Sequence, residues 1–312
     1  MRVLLGRAVF FYLIAAVSVT LSAAQQPSDV SLLASGHQAE QHTFFSQALQ
    51  RSMPYEVLLP AGYSQSDQRY PVLYLLHGWQ GDESNYIKLT SLETTVATYP
   101  LIVVMPKANN SWYVNSDTIR TDRYSDYIFS DLVREVDGQF RTIASPQGRA
   151  IAGLSMGGYG AMLLSLQHPG SFRFVGSFSG AFAGPTGIEN VLPALKASTD
   201  AAFGALESEA RKKNNVDLLL AADDPAGQPY LYLSCGSGDP LLPSNRHVVE
   251  ELSAHKFAYE YHELPGAHTW TFWNSQLAPM LQVLAREMHL ARLPITPALT
   301  PATNSDSMRK HE

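Results

Sequence analysis

Three residues far apart in a 312-residue chain could together carry covalent acyl chemistry: Ser155, Asp239 and His268. A serine hydroxyl is a poor nucleophile until a base takes its proton, and the oxyanion its attack creates needs positioned donors. Ser155 stands at the centre of Gly153-Leu154-Ser155-Met156-Gly157, a G-x-S-x-G pattern. In such a turn a strand ends, the chain bends sharply through the serine, and a helix leaves at once. Glycines two positions either side let strand and helix approach without Cβ clashes. The pentapeptide alone is weak evidence. Its context, "AIAG" before and "GGYGAMLLSLQ" after, is that of strand, turn and helix.

The fold that uses this turn places its acid and then its base downstream of the serine, each just past a later strand. "YLYLSCGSGDPLLP" offers Asp239 as the acid. Asp223 and Asp224 also follow the serine, but they precede that strand and read as a solvated turn, "ADDPAG". A purely structural role for Asp239 would be to cap the next helix, yet Pro240, Leu241 and Leu242 intervene. His268, in "HELPGAHTWTFW", lies in a loop between the last strand and the last helix. His262 falls within that strand, His247 and His255 on the preceding helix, and His168 at the end of the helix after Ser155. As base, His268 would take the Ser155 proton, while Asp239 would fix its tautomer and stabilise the imidazolium. Two backbone N–H groups would bind the oxyanion: Met156, next to the nucleophile, and Trp79, in the loop "LLHGWQGDESNY". His77 in that loop reads as a brace.

The elements that must hold these loops follow from the apolar pattern. "YPVLYLLHG" and "YPLIVVMP" are continuous apolar runs closed by Gly and Pro, the mark of strands buried on both faces. "SMPYEVLLPAGY" precedes them as a further strand. Tyr124, Ile128, Leu132 and Val136 recur at four-residue intervals and predict an amphipathic helix. Strand "GRAIAG", a helix over 156–167, strands "FRFVGSFS" and "PYLYLSCG", a helix near 244–255, strand "FAYEYHEL" and a long final helix complete the body. This alternation predicts an α/β fold with a mostly parallel central sheet and helices on both faces. Residues 184–228 break the rhythm and carry helical "ALESEARKK", so a small cap insertion is expected there.

Composition sets the outer bounds. Hydrophobic content of 45% with 16% charged residues describes a chain with a large core. A net charge of −6 without any Lys/Arg run argues against nucleic acid as a partner. Residues 1–24 combine Arg2 and Arg7, an apolar run from Ala8 to Thr20, and a small-residue exit at Ser22-Ala23-Ala24. That is the build of a signal peptide, short for a comfortable membrane span, with an uncleaved anchor as the competing reading; export to the periplasm or medium is expected, with no stable anchor after cleavage. Its removal takes two arginines and no acid, leaving 20 basic against 28 acidic residues. A linker over 25–36, a catalytic domain over 37–292 and a Pro/Thr/Ser-rich disordered tail over 293–312 follow. Cys235 is the single cysteine, which leaves no internal disulfide and reads as a buried small hydrophobe. No H-x-x-x-H or C-x-x-C spacing lies near the serine, and neither a metal nor an organic cofactor is expected.

The segments "YPVLYLLHG", "LIVVMP", "SWY", "AGLSMGGYGA", "SFSGAF", "CGSGD" and "GAHTW" occur in this order from about Leu49 to Leu290. Together they resemble an esterase family of the α/β-hydrolase superfamily. It includes tributyrin esterases, esterase D (S-formylglutathione hydrolase), feruloyl and acetylxylan esterases, and mycolyltransferases. The resemblance implies that Ser155, Asp239 and His268 match the family's triad, with Met156 and Trp79 at its oxyanion positions. "FGAL" at 203–206 and "NNVDLLL" also resemble a family segment. It implies short acyl chains, acetyl or butyryl, with acetyl or feruloyl esters of carbohydrate within range. The export signal and proline-rich tail depart from the cytoplasmic formaldehyde-detoxifying members, which argues against S-formylglutathione as substrate. Trp79, Trp112, Tyr113, Trp270 and Trp273 are candidates to line a cleft, with Trp112, Tyr113 and Trp270 touching substrate; core packing is the competing role. Acyl transfer to a sugar hydroxyl would use the same triad. A silent carbohydrate-binding protein on the same scaffold would have no reason to keep all three residues. Oligomeric state is not legible in the sequence.

Overall fold

The computed structural model describes residues 29–32 and 38–293. The expected signal peptide, most of the expected linker and nearly all of the expected tail lie outside them. Strands β1 (Asp29–Leu32), β2 (Gln38–Ser46) and β3 (Arg51–Leu59) open the described chain as an antiparallel meander. Part of the segment expected as linker is thus paired as a strand. β4 (Val72–Leu76) leads to helices α1 (Asn85–Leu89) and α2 (Leu92–Val96), then β5 (Ile102–Pro106). The amphipathic stretch forms one continuous helical run: α3 (Tyr124–Asp126), a π-helical segment (Tyr127–Leu132) and α4 (Val133–Gln139). β6 (Arg149–Leu154) passes through Ser155 into α5 (Met156–Gln167), and β7 (Phe174–Phe178) follows.

Residues 184–228 contain α6 (Lys196–Phe203), α7 (Glu209–Lys213) and α8 (Val216–Ala222) with two short 3-10 turns. The chain returns through β8 (Tyr230–Gly236), α9 (Leu242–Ala254), β9 (Tyr259–Leu264) and α10 (Trp270–Glu287).

The nine strands form one sheet in the order β1-β2-β3-β5-β4-β6-β7-β8-β9. From β5 to β9 every neighbouring pair is parallel, and β3 joins this block antiparallel to β5. The period-two alternation of a strand divides the core into two layers. Val72, Tyr74 and Leu76 of β4 face one way, onto the layer that holds α5, the π-helical run and buried side chains of residues 188–220. Leu73 and Leu75 face the other way, toward Phe272, Leu277, Met280 and Leu284 of α10. β4, β5 and β7 are buried along their whole length, and β6 and β8 everywhere except their first residue. That burial explains why they read as unbroken apolar runs. The parallel strands all end at the same edge of the sheet, where ligands of open α/β folds collect. The loops after β4, β6, β8 and β9 bring Trp79, Ser155, Asp239 and His268 to that edge.

Candidate active site

Ser155 adopts φ 54° and ψ −118°, a backbone conformation that L residues rarely take. It is held there from both sides. The Ser155 N–H donates to Phe178 O at 2.8 Å, and its carbonyl accepts from Tyr159 N–H and Ala181 N–H, each at 3.0 Å. The flanking glycines permit the bend. A Cβ on Gly157 would lie 2.3 Å from Leu76 O, and one on Gly153 would lie 2.5 Å from the Gly157 carbonyl. Both obstacles are backbone atoms, which no rotamer change can move aside. Strand β4, strand β6 and the first turn of α5 therefore meet at a spacing only glycine allows, and the Ser155 hydroxyl projects from the bend.

The Ser155 Oγ–H donates to His268 Nε2 at 3.0 Å. The His268 Nδ1–H donates to Asp239, at 2.9 Å to Oδ2 and 3.1 Å to Oδ1. An ionised carboxylate only accepts, so this contact puts the imidazole proton on Nδ1 and leaves Nε2 free to take the serine proton. Burial pushes the Asp239 carboxyl up. The hydrogen bond and charge of His268, the Leu241 N–H and the Ser179 hydroxyl outweigh it and hold the group below the ordinary carboxylate value. The Asp239 side chain has no exposed surface, whereas a quarter of the His268 side chain is exposed toward the cavity mouth. Trp273 packs edge-on against the imidazole at 4.8 Å, while its indole N–H donates to Ser179 Oγ at 3.2 Å.

Asp239 also accepts from Leu241 N–H at 2.8 Å, so it organises the turn before α9 as well as facing the histidine. The other candidates are engaged elsewhere. Asp223 accepts from Gln228, His262 contacts Glu260, His247 contacts Asp217, and His168 stacks on Phe129 at 3.6 Å.

The loop after β4 is braced beside the serine. His77 is buried; its Nε2 accepts from Ala108 N–H at 2.9 Å, so Nδ1 carries the proton and donates to Gly78 O at 2.7 Å. Burial lowers the His77 pKa to about 4, keeping the ring neutral and this tautomer in place. The Gly78 carbonyl also accepts from Gly81 N–H at 3.0 Å. Together these bonds fix the Gly78–Trp79 peptide plane, and in a trans peptide the N–H points opposite the carbonyl. Among the described residues, neither the Trp79 nor the Met156 backbone N–H donates to a protein acceptor. A Cβ on Gly78 would lie 3.4 Å from the Ser155 Cβ, which sets this peptide against the nucleophile.

A cavity of about 290 Å³ opens over Ser155 and His268. Trp79, Trp112, Trp270 and Trp273 line it, with Trp112 itself fully buried. Tyr113 does not. It is fully buried, its ring packs against Gly160, and its hydroxyl donates to His77 O at 2.8 Å. Successive left-handed residues, φ 57° at Trp112 and 58° at Tyr113, turn the two side chains to different destinations. Tyr113 is thus a core support of the loop that carries Trp79, and the expectation that it touches substrate is corrected.

Sequence reasoning missed Asn245. Fully buried on α9, it accepts from Gly180 N–H at 3.1 Å and donates to Gly180 O and Leu241 O, each at 2.9 Å. It ties the loop after β7 to the acid turn, and a lone asparagine in a helix gives no signal of that. Cys235 is buried, and burial followed by the Asp239 charge pushes its thiol up to about 12, so it packs as a neutral group.

This assembly of a strained serine, an imidazole of fixed tautomer, a buried carboxylate and two unengaged N–H groups can perform nucleophilic acyl substitution. An esterase of Mycobacterium tuberculosis is 30% identical over 238 residues, 69% of this chain and 52% of that one, so the chain spans about half of that relative's length. An acetyl esterase of Caldicellulosiruptor saccharolyticus is 24% identical over 263 residues, covering 79% of this chain and 97% of the relative. Among solved structures, a fluorophosphonate-binding serine hydrolase of Staphylococcus aureus superimposes with a TM-score of 0.71 at 25% identity, over 81% of this chain and 98% of that one. Residues 46–284 match the family model described as "Putative esterase", which takes in Ser155, Asp239 and His268, and the chain belongs to that esterase family.

Proposed function

We propose that the chain is a serine esterase that hydrolyses short-chain carboxylic esters, acetyl and butyryl among them, with acetyl or feruloyl esters of carbohydrate in its range. The observation that carries this reading is the unbroken hydrogen-bond chain from Ser155 through His268 to Asp239 at the floor of a cavity. Ser155 Oγ attacks the ester carbonyl carbon as His268 Nε2 takes its proton. The carbonyl oxygen becomes an oxyanion and accepts from the Met156 and Trp79 N–H groups. Collapse of this intermediate expels the alcohol, which receives the proton from His268 and leaves an acyl-serine. His268 then takes a proton from water, whose oxygen attacks the acyl carbonyl. A second collapse releases the acid and restores Ser155. Asp239 keeps Nδ1 protonated throughout and stabilises the imidazolium.

Trp270, partly exposed in the cavity, touches the bound ester, while Trp112 is fully buried and lies beneath the cavity lining rather than open to substrate. The basic, apolar and small-residue pattern of residues 1–24 supports export to the periplasm or the medium. Purified protein and its Ser155→Ala variant, assayed on acetyl, butyryl, octanoyl and feruloyl esters, test the proposal. Hydrolysis by the wild type and its loss in the variant are expected. A wild type inert on every ester, or a fully active variant, overturns it.

A further inference from the structure

One segment, residues 188–195, supplies much of the apolar lining of the cavity over Ser155, and a buried arginine contacts the residues around that segment. Ile188, Leu192, Ala194 and Leu195 line the cavity, together with Trp112 and Leu241. Gln80, from the loop after β4, Asn85, at the start of α1, and Trp270, at the start of α10, also line it. An alkyl chain gains by leaving water for the apolar side chains of residues 188–195. The cap lining itself is thin. Ile188 belongs to a single 3-10 turn (Ile188–Asn190) and Leu195 to another (Pro193–Leu195), neither of which can hold its own shape.

Arg211, on the short helix α7 within the charged stretch "EARKK", contacts the residues around them. Its side chain is 2% exposed. The guanidinium pairs with Glu189 at 3.2 Å and Asp200 at 3.4 Å, and donates to Gly204 O at 3.0 Å and Pro185 O at 3.4 Å. Glu189, adjoining the cavity-lining Ile188, is itself buried, with 8% of its side chain exposed. One planar fork therefore joins the entry of the cap, its first turn, α6 and the bend after α6. From the far side, Ser198 of α6 accepts from the Trp112 indole N–H at 3.1 Å, locking the pocket floor to the same assembly. Arginine suits this task because its donors are set in a rigid plane, which a lysine cannot reproduce.

We propose that the side of the cavity lined by residues 188–195 takes the acyl chain, and that Arg211 is a positioning residue that sets acyl-chain selectivity by fixing this wall. The proposal rests on the esterase reading above and specifies which end of the ester goes where. Each methylene that leaves water for this wall is worth about four-fold in kcat/KM. Butyryl esters of one alcohol therefore exceed acetyl esters by roughly 15-fold in the wild type.

The test is the butyryl-to-acetyl ratio of kcat/KM for 4-nitrophenyl esters in two variants, each checked for folding by circular dichroism. Arg211→Lys keeps a charge beside Glu189 but loses the fork. The double variant Arg211→Met, Glu189→Leu removes both buried charges together, which leaves no orphaned ion to unfold the cap. A ratio below about five in either folded variant is the expected result, since about four-fold per methylene no longer applies. A folded variant that keeps the wild-type ratio overturns the proposal, because a merely structural role lowers both esters equally. A wild-type preference for acetyl over butyryl overturns the assignment of the acyl chain to residues 188–195. A wild type inert on all esters instead overturns the esterase reading itself, and is distinguishable from either.

Discussion

Asp239→Asn changes one heavy atom of the site and leaves its volume intact, so its consequence can be worked from the hydrogen bonds. The carboxylate receives the His268 Nδ1–H at 2.9 and 3.1 Å and has no exposed side-chain surface. An ion pair about 4 Å apart at an effective dielectric near 20 is worth about 4 kcal/mol. That energy is gained only when His268 becomes an imidazolium, so its loss falls on the transition state and removes roughly three decades of rate. The amide also offers an N–H to Nδ1. The imidazole then carries its proton on Nε2 and cannot accept from Ser155. Together these place the loss in kcat at about 10³–10⁴-fold with KM little changed. Initial rates on a 4-nitrophenyl ester measure it, with circular dichroism to show the variant folded. Asp223→Asn, at the exposed turn before β8, should keep wild-type kinetics. A folded Asp239→Asn within ten-fold of wild type would refute the reasoning, since another group would then be orienting His268.

Gly157→Ala puts a Cβ 2.3 Å from Leu76 O and 2.6 Å from His77 O, both backbone, so α5 must retreat from β4 and carry Ser155 with it. A displacement near 1 Å costs about 100-fold in kcat/KM, and kinetics of the purified variant should show it. At Glu56 on β3, burial and then the Glu83 charge push the carboxyl up to about 7 from its ordinary 4.5. A raised carboxyl stabilises the fold fully below its unfolded value and loses that contribution as pH rises through about 7. With solvent screening at this half-exposed site the loss is about 1–2 kcal/mol. Glu56→Gln should therefore raise the melting temperature at pH 8 by about 2–5 °C and leave it unchanged at pH 4; equal shifts at both would contradict this.

The catalytic edge was legible because its information is written in backbone-restrictive residues and in buried strands. Gly153 and Gly157 are needed wherever they stand, and the apolar runs of β4, β5, β6, β7 and β8 mark strands covered on both faces. β2 was not legible. Its sequence, "QAEQHTFFS", lies near the sheet edge with several half-exposed side chains, and its pairing with β3 rests on backbone bonds that need no apolar run. Trp112 and Tyr113 are adjacent, fully buried aromatics, and only the fold decides that the first lies under the cavity while the second braces the loop after β4 through His77 O. Arg211 sits in "EARKK", whose composition describes a solvated helix. Its burial depends on Pro185, Glu189, Asp200 and Gly204 converging in space, which no local pattern records.

The central claim is that Ser155 is an activated nucleophile, and a covalent probe tests it most directly. An alkyl fluorophosphonate phosphonylates a serine whose proton a neighbouring base removes, with fluoride as the leaving group. Intact-protein and peptide mass spectrometry should find one adduct per chain, on the peptide containing Ser155. It should be absent in Ser155→Ala and formed far more slowly in His268→Ala. An unlabelled wild type, or an adduct that persists in Ser155→Ala, would contradict the account.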